Sequence, residues 1–393
     1  MQTFSYRMSN FDYGRKNLLI SVITRILLSF IIILNFAHPL YAQKAPVITP
    51  EEYSKLVVSL SEEGGYFRSD NWVTNERTYM EVIKPLQDLK ISGGAYIGVA
   101  SNQNLTYIAA VKPEIAFIVD IRHQNRSQHL VWKAIFEFAE TPAEFLSLLF
   151  AKPYNPKNAP AHMESIDVIV NYFYQTSSDL TLFNSVQKRI LDLLTKKYKF
   201  QLDARDTSEI LYTLESFYSY NLNITNSGGS LQYNNRSPRG VTYADLLLMQ
   251  TSDGAYGDPL AYPERYKFLR TMHLENRIIP ITGDFTGTKA IAAIGQYLKD
   301  KNIPVSVYYT SNVEQYLFQN NTFNGWAENV RKLPLTDKSV FIRWISGSGG
   351  GSRGGFNAPG GGSRLQYIKI FLANYTAGKY YSYNDLRILD YIY

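Results

Sequence analysis

The chain of 393 residues contains no cysteine. It therefore cannot form disulfides, zinc–thiolate sites or cysteine-ligated iron–sulfur clusters, and it cannot use a thiol as a nucleophile. A lipoprotein carries its lipid on a cysteine, so that form of membrane attachment is excluded as well. The absence fixes no redox compartment, because a chain without thiols is stable in either.

An excess of charge of one sign is also missing. The formal net charge is +6, from 40 basic and 34 acidic residues. Residues 1–42 contain four of the basic residues and one of the acidic ones, so the rest of the chain carries only +3. No dense basic run is present, and the sequence predicts no nucleic-acid partner. A hydrophobic content of 45% with 19% charged residues is typical of a globular protein.

The first 42 residues have the pattern of an export signal. Arg15 and Lys16 form a basic start, residues 26–37 form the strongest apolar run, and Ala42 provides a small residue before Gln43. We expect an exported protein, periplasmic or secreted, whose only contact with the membrane is this segment. An uncleaved anchor through residues 18–37 and a buried N-terminal helix are the alternatives, since a bilayer span needs roughly 20 apolar residues.

The remainder alternates between short apolar runs and amphipathic segments. This pattern predicts an α/β fold with a doubly wound, mostly parallel Rossmann-like sheet over residues 43–393. A helical insertion is expected at about 140–275, between the second and third core strands, and a glycine-rich loop or hairpin tip at 346–364. The predicted strands are 95–100, 115–121, 278–282, 305–309, 339–343 and, late in the chain, 366–372.

Ligands of open parallel sheets bind beyond the carboxyl ends of the strands, so the polar residues that follow each run are the candidate site. Asp120 lies 22 residues after Gly98 in a predicted βαβ unit. That is close to the spacing at which a nucleotide-binding unit places the carboxylate that accepts hydrogen bonds from ribose. Gly98 and Asp120, together with Asn102 and Asn104, form the predicted cofactor-binding set. The alternatives are a helix-capping aspartate and an ordinary capped turn.

Two carboxylates are candidate catalytic groups. Glu314 follows the fourth predicted strand, where a carboxylate can be desolvated and tuned as a general base. Asp284 lies in the sequence GDFTGT after the third strand. Each could instead satisfy the start of the next helix. The candidate substrate-binding residues at the same edge of the sheet are Arg122, Thr286, Asn312 and Arg343.

The segment Ser61–Asn71 is polar and contains two glycines. It is either a lid over the cleft or an ordinary surface loop. His123 and His129 are six residues apart, which is the wrong spacing for a shared metal on a helix, and the chain has neither an H-E-x-x-H motif nor a Walker loop. We predict no structural metal.

The stretches YIGVASNQNLTYIAAVKPEIAFIVDIRHQN, GDFTGTKAIAAIGQYLKDK and YYTSNVEQYLF resemble an uncharacterised family of exported bacterial proteins that includes predicted leptospiral lipoproteins. The resemblance runs from about residue 53 to 343. The fold of that family is similar to the class I S-adenosylmethionine-dependent methyltransferases. It implies that Gly98, Asn102 and Asn104 match the first adenosylmethionine loop and that Asp120 matches the ribose-binding acid.

Two hypotheses follow. The first is a methyltransferase-like enzyme with S-adenosylmethionine as cofactor, in which Asp284 or Glu314 faces the acceptor. The second is a non-catalytic envelope module that binds a small molecule or a glycan in the same cleft, which the abundance of tyrosine and asparagine favours. Binding of adenosylmethionine discriminates between them.

Overall fold

The strands of the central sheet are short and mostly apolar because helices cover both of its faces. The computed structural model describes residues 47–157, 160, 164–229, 240–345 and 361–393. Every residue of the three strands nearest one edge is buried. The strands are β1 (Ala95–Gly98), β2 (Ile115–Asp120), β3 (Ile224–Thr225), β4 (Gly228–Gly229), β5 (Ile278–Thr282), β6 (Val305–Ser311), β7 (Leu335–Ile345) and β8 (Gly362–Tyr367).

Six of these strands form one sheet in the order β5-β2-β1-β6-β7-β8. The first five are parallel, and β8 is antiparallel to β7. The prediction of a mostly parallel, Rossmann-like α/β fold is confirmed. From β1 the chain proceeds outward through β2 to β5, and it then crosses back to β6 on the other side of β1. The order of the strands therefore reverses between β1 and β6, and such a switch point is where open α/β sheets bind their ligands.

Helices connect the strands, and seven of the fifteen α-helices of the described residues lie between β2 and β5, the region where the sequence predicts an insertion. The described residues belong to one compact unit, Pro46–Tyr393. The α-helices are Pro50–Leu60, Ile83–Asp88, Gln103–Val111, His123–Phe138, Pro142–Phe150, Ile166–Gln175, Leu180–Asp192, Ala204–Tyr220, Tyr243–Leu247, Pro263–Leu274, Ala290–Asp300, Val313–Gln319, Phe323–Arg331, Ile368–Thr376 and Tyr383–Ile388. Helix His123–Phe138 packs across β5 and against Ala204–Tyr220.

One predicted strand is corrected. Residues 366–372 are not a continuous strand, because β8 ends at Tyr367 and the helix Ile368–Thr376 begins at the next residue. Ile368 and Phe371 are both buried, and their spacing of three places them on one face of a helix. Residues 346–360 of the predicted glycine-rich loop lie outside the described residues. Residues 362–364, which the prediction also assigns to that loop, instead belong to β8, because their backbone pairs antiparallel with β7.

The predicted export signal, residues 1–42, also lies outside the described residues and stays a prediction. Within the part of the chain that the structure describes, no helix combines the length and the apolar character that a membrane crossing requires.

The turn after β1 is built around an inward-pointing asparagine. The Asn104 side chain donates to the backbone oxygens of Val99 and Ser101 at 2.8 Å each, and its Oδ1 accepts from the hydroxyl of Tyr96 at 2.8 Å. Gly98 makes room for it, since a Cβ on residue 98 would lie 2.0 Å from Asn104 Oδ1. The glycine is thus required by packing against the chain's own side chain.

We expect Gly98→Ala to lower the free energy of unfolding by about 2–3 kcal/mol, because an overpacked buried site must shift a hydrogen-bonded asparagine. The matched control is Gly325→Ala. Residue 325 lies within the helix Phe323–Arg331, and a Cβ there has its nearest neighbour at 3.8 Å. Alanine should therefore be neutral at residue 325, or stabilise the helix by up to about 1 kcal/mol. Urea unfolding of the two variants measures the difference, and equal stabilities would contradict the packing role of Gly98.

Candidate functional site

A cleft of about 400 Å³ opens at the switch point, between the carboxyl ends of β1 and β6. We call it the switch-point cleft. Most of its lining side chains are polar and uncharged, with a few apolar or aromatic residues and two charged ones. The lining residues are Phe67, Arg68, Ser69, Asn71, Val73, Thr74, Asn75, Glu76, Ala100, Ser101, Gln103, Asn226, Ser227, Ser311, Asn312 and Tyr316. Four of them come from the segment Ser61–Asn71, which therefore forms one wall.

Three non-glycine residues of the cleft have a left-handed backbone. Ala100 follows β1 with φ of 67°, Ser311 ends β6 with φ of 54°, and Asn71 has φ of 50°. This conformation costs about 1 kcal/mol or more for a residue with a Cβ, least for asparagine, and it persists only where the surroundings enforce it. The carbonyl of Ala100 is held by Asn125 Nδ2 at 2.9 Å and His129 Nε2 at 2.8 Å. Such strain at adjacent strand ends is characteristic of functional sites.

Glu76 is the buried acid of the cleft. Its side chain is held by hydroxyl groups: Tyr309 donates to Oε2 at 2.9 Å, and Ser311 donates to Oε1. The residue is only 4% exposed. Burial raises the pKa of Glu76 to about 7, although the hydrogen bonds from Ser311 and Tyr309 act in the opposite direction. The group can therefore change charge near neutral pH, as proton-transfer groups in active sites do.

A line of hydrogen bonds joins Glu76 to the loop after β1. Gln103 Nε2 donates to the Tyr309 hydroxyl at 3.0 Å, and the Ser101 hydroxyl donates to Gln103 Oε1 at 3.2 Å. The loop and helix that follow β1, the strand β6 and Glu76 thus share one network. Hydrogen bonds that connect buried polar groups in this way fix the shape of a site.

The predicted cofactor loop is directed into the protein. Asn104 holds its own turn, and Gly98 lies beneath it. Asn102 Oδ1 accepts from the backbone N–H of Thr74 at 2.8 Å. Asn102 therefore fixes the segment that carries Glu76, rather than presenting its amide to the cleft.

Asp120, the predicted ribose-binding acid, is paired with Arg122. Arg122 Nε lies 3.0 Å from Oδ1 and Nη2 lies 2.7 Å from Oδ2, and the carboxylate is buried. The same guanidinium donates to the backbone oxygens of Ser69 and Asp70. Neither Asp120 nor Arg122 belongs to the lining of the switch-point cleft. Arg122 instead connects the end of β2 to the cleft wall.

Asp284 and Thr286 lie in a loop that is capped by the chain's own Glu62. Asp284 Oδ1 accepts from the backbone N–H and the hydroxyl of Thr286 at 2.8 and 2.9 Å. Glu62 accepts from the backbone N–H groups of Asp284, Lys289 and Ala290 at 2.9, 3.1 and 3.4 Å. A carboxylate is well placed at the start of the helix Ala290–Asp300, where unpaired N–H groups and the helix dipole favour negative charge. Glu62 thus occupies the position that an anionic ligand of this loop would need.

Glu314 and Arg343 form a fully buried ion pair away from the cleft lining. Arg343 Nε lies 2.8 Å from Glu314 Oε1, which also accepts from the Thr310 hydroxyl at 2.8 Å. Arg343 is 0% exposed and donates a further bond to Gln366 on β8. The pair ties β6, β7 and β8 together. Asn312, by contrast, does line the cleft, as predicted for the edge where β6 ends.

Sequence reasoning did not identify Glu76. It lies 19 residues before β1, outside any strand end, and its hydroxyl partners are more than 230 residues away in the chain. Its surroundings, TNERTY, have the composition of an ordinary helix start. Over the described ranges, no cluster of three or more histidine, aspartate or glutamate side chains is arranged to hold a metal ion. The prediction of no structural metal stays a prediction.

Residues 71–226 and 233–377 match the model of a family described as a domain of unknown function, DUF7790. The match covers well over half of the chain, so the protein belongs to this family. The matched ranges include Glu76 and all the strand ends of the cleft. No curated protein matches the chain at a significant level. The predicted links to leptospiral lipoproteins and to methyltransferases therefore stay predictions.

Glu62→Ala should lower the free energy of unfolding by about 2 kcal/mol, because three backbone donors lose their acceptor. Deuterium exchange of the amides of residues 61–71, which form the cleft wall, should also accelerate. Glu63→Ala is the matched control, since Glu63 is exposed and an exposed surface change is worth about 0.5 kcal/mol or less. If both variants had the same stability and exchange, Glu62 would not hold the wall.

The pH dependence of stability should reveal the buried Glu76. Its pKa is about 7 in the folded protein, above the ordinary value of 4.5, so folding favours the protonated form. Its contribution to stability is present below pH 4.5 and is lost as the pH rises through 7. Relative to Glu76→Gln, the wild type should lose about 3 kcal/mol of unfolding free energy between pH 4.5 and 8. Parallel pH profiles of the two proteins, measured by urea unfolding, would show that Glu76 does not titrate in this range.

Proposed function

We propose that this protein binds a small polar molecule in the switch-point cleft, with Glu76 as the central recognition group. The observation that carries the proposal is a buried carboxylate whose side-chain hydrogen-bond donors, among the described residues, are two hydroxyl groups, in a cleft with strained strand ends. A well-formed cleft that combines convergent polar groups with a perturbed acid is a default binding-site hypothesis.

The dimensions and lining of the cleft set the class of ligand. A volume of about 400 Å³ is at the small end of ligand sites and suits a nucleoside or a monosaccharide derivative. Serine, threonine, asparagine and glutamine side chains both donate and accept hydrogen bonds, so they match the hydroxyl groups of such ligands. Phe67 and Tyr316, whose ring centroids are 5.5 Å apart, add an aromatic surface on which a base or sugar face can pack.

S-Adenosylmethionine, the cofactor that the sequence resemblance implies, is one member of this class of ligands. Asp120 could accept hydrogen bonds from a ribose only beside or in place of those it accepts from Arg122. We therefore propose that Glu76, rather than Asp120, is the carboxylate that meets the ligand. A methyltransferase-like reaction rests on the resemblance seen in the sequence, and the reversal of strand order between β1 and β6 supports it only at the level of the fold.

Calorimetric titration of the full chain tests the proposal, with adenosylmethionine, adenosylhomocysteine, adenosine, glucose and N-acetylglucosamine as ligands. We expect saturable binding of at least one of them, weakened about tenfold or more by Glu76→Gln, since a hydrogen bond to a charged group contributes about 1.5–3 kcal/mol.

The control variant is Asp258→Asn. Asp258 is also a buried carboxylate, and burial raises its pKa to about 7, but it does not line the cleft. It should leave binding unchanged. Absence of binding by every ligand at millimolar concentration would reject the ligand class. Binding that Glu76→Gln leaves intact would reject the site.

A further inference from the structure

The charge of Glu76 has no counter-charge in the described structure. Five carboxylate side chains of the described residues belong to buried residues: Glu76, Asp120, Asp206, Asp258 and Glu314. Arginine side chains pair with three of them, as Arg122 with Asp120, Arg126 with Asp206 and Arg343 with Glu314. Neither Glu76 nor Asp258 forms an ion pair with an arginine among the described residues, but Arg265 lies close enough to Asp258 to act on it electrostatically. Of these two acids, it is Glu76 that lines the switch-point cleft.

Burial of an unpaired carboxylate is expensive, and two hydroxyl donors offset only part of the cost. The fold pairs its other buried acids with arginine, or, at Asp258, places the carboxylate beside the backbone N–H of Leu260 at 2.8 Å. Glu76 has no such arginine and lines the cleft, so its carboxylate borders the space where the proposed ligand would lie. A cationic group on that ligand would complete the pairing.

The aromatic residues of the cleft are consistent with a cation. Phe67 and Tyr316 pack edge to face, and both line the cleft together with Glu76. An ammonium group gains stabilisation from an aromatic face as well as from a carboxylate, particularly where water is partly excluded. Arg68, the one basic side chain of the lining, is exposed at the surface, where solvent and salt screen its charge.

We propose that the ligand of the switch-point cleft carries a protonated amine that pairs with the carboxylate of Glu76. This inference rests on the proposed function, because it specifies the ligand of the same cleft. It excludes a wholly uncharged sugar or nucleoside as the preferred ligand. The expected class is an aminosugar, an amino-nucleoside or another small polar amine.

The pairing should make binding depend on pH. Around Glu76, the tyrosines at positions 96, 107 and 309 have a pKa that burial raises well above its ordinary value, so they stay neutral. Arg68 is the one other charged side chain of the lining. Glu76 is thus the group of this cleft that changes charge near neutrality, and the amine should bind more tightly as the pH rises through about 7.

The experiment compares ligands that differ only by an amine in place of a hydroxyl. The pairs are 5′-amino-5′-deoxyadenosine with adenosine, and 6-amino-6-deoxyglucose with glucose, titrated calorimetrically into the full chain. At pH 8 we expect the amine of at least one pair to bind about tenfold or more tightly, from the strength of a charged hydrogen bond. The preference should shrink toward unity in Glu76→Gln and persist in Asp258→Asn.

Measurements on the wild type alone provide a second test, which does not depend on the folding of any variant. The ratio of amine to hydroxyl affinity should rise between pH 6 and pH 8. If the neutral partners bind in a Glu76-dependent way and the amines bind no better, the inference is overturned while the proposed function stands. If no member of either pair binds, the inference is overturned, and the proposed function is overturned with it only when adenosylmethionine, adenosylhomocysteine and N-acetylglucosamine also fail to bind.

Discussion

The cleft depends on how β1 ends. A parallel strand that leads into a helix must turn within a few residues, and here Asn104 closes the turn with three hydrogen bonds of 2.8 Å. That arrangement requires a residue without a Cβ at position 98, and it accompanies the left-handed backbone of Ala100. The carbonyl of Ala100 then points toward Asn125 and His129 on the next helix. The side of the cleft at β1 is thereby fixed by side chains that are hydrogen-bonded within the protein.

Charge pairing explains why the candidate acids take different roles. Asp120 and Glu314 lie where parallel sheets commonly bind ligands, yet each is neutralised by an arginine of the same chain. The loop Gly283–Gly287 could receive an anion, but Glu62 already caps it. These contacts contribute to folding, and they occupy the carboxylate oxygens and backbone N–H groups that a ligand would otherwise contact. Glu76 alone combines burial, a cleft position and the lack of a described cationic partner.

The sequence predicts the fold well because the sheet is defined by local patterns. The apolar runs at 115–121 and 278–282 differ from the observed strands by no more than one residue. The prediction of a strand at 366–372 was wrong. The spacing of Ile368 and Phe371 fits a helix, but the neighbouring apolar residues make the segment resemble a buried strand. Asn312 lines the cleft because it directly follows the residue that ends β6, and its role in substrate binding stays a prediction.

The chemistry of the site was harder to predict because it depends on contacts between distant residues. A strand-end position identifies Asp120, but the pairing with Arg122 depends on the side-chain direction, which spacing does not fix. Glu76 meets Ser311 across 235 positions of the chain. No local pattern contains that contact, and without it Glu76 is one of many glutamates near a helix start.

The outer wall of the cleft is held at several points by rigid parts of the fold. Glu62 fixes its beginning to the loop after β5, and Arg122 holds the carbonyls of Ser69 and Asp70. Further along, the Ser69 hydroxyl donates to the backbone oxygen of Asn226, next to the short hairpin β3–β4. A wall with such anchors loses little conformational freedom when a ligand enters, so more of the interaction energy remains for affinity. Glu76 lines the same cleft and is 4% exposed, and the cost of burying its carboxylate is the reason that we expect a positive group on the ligand.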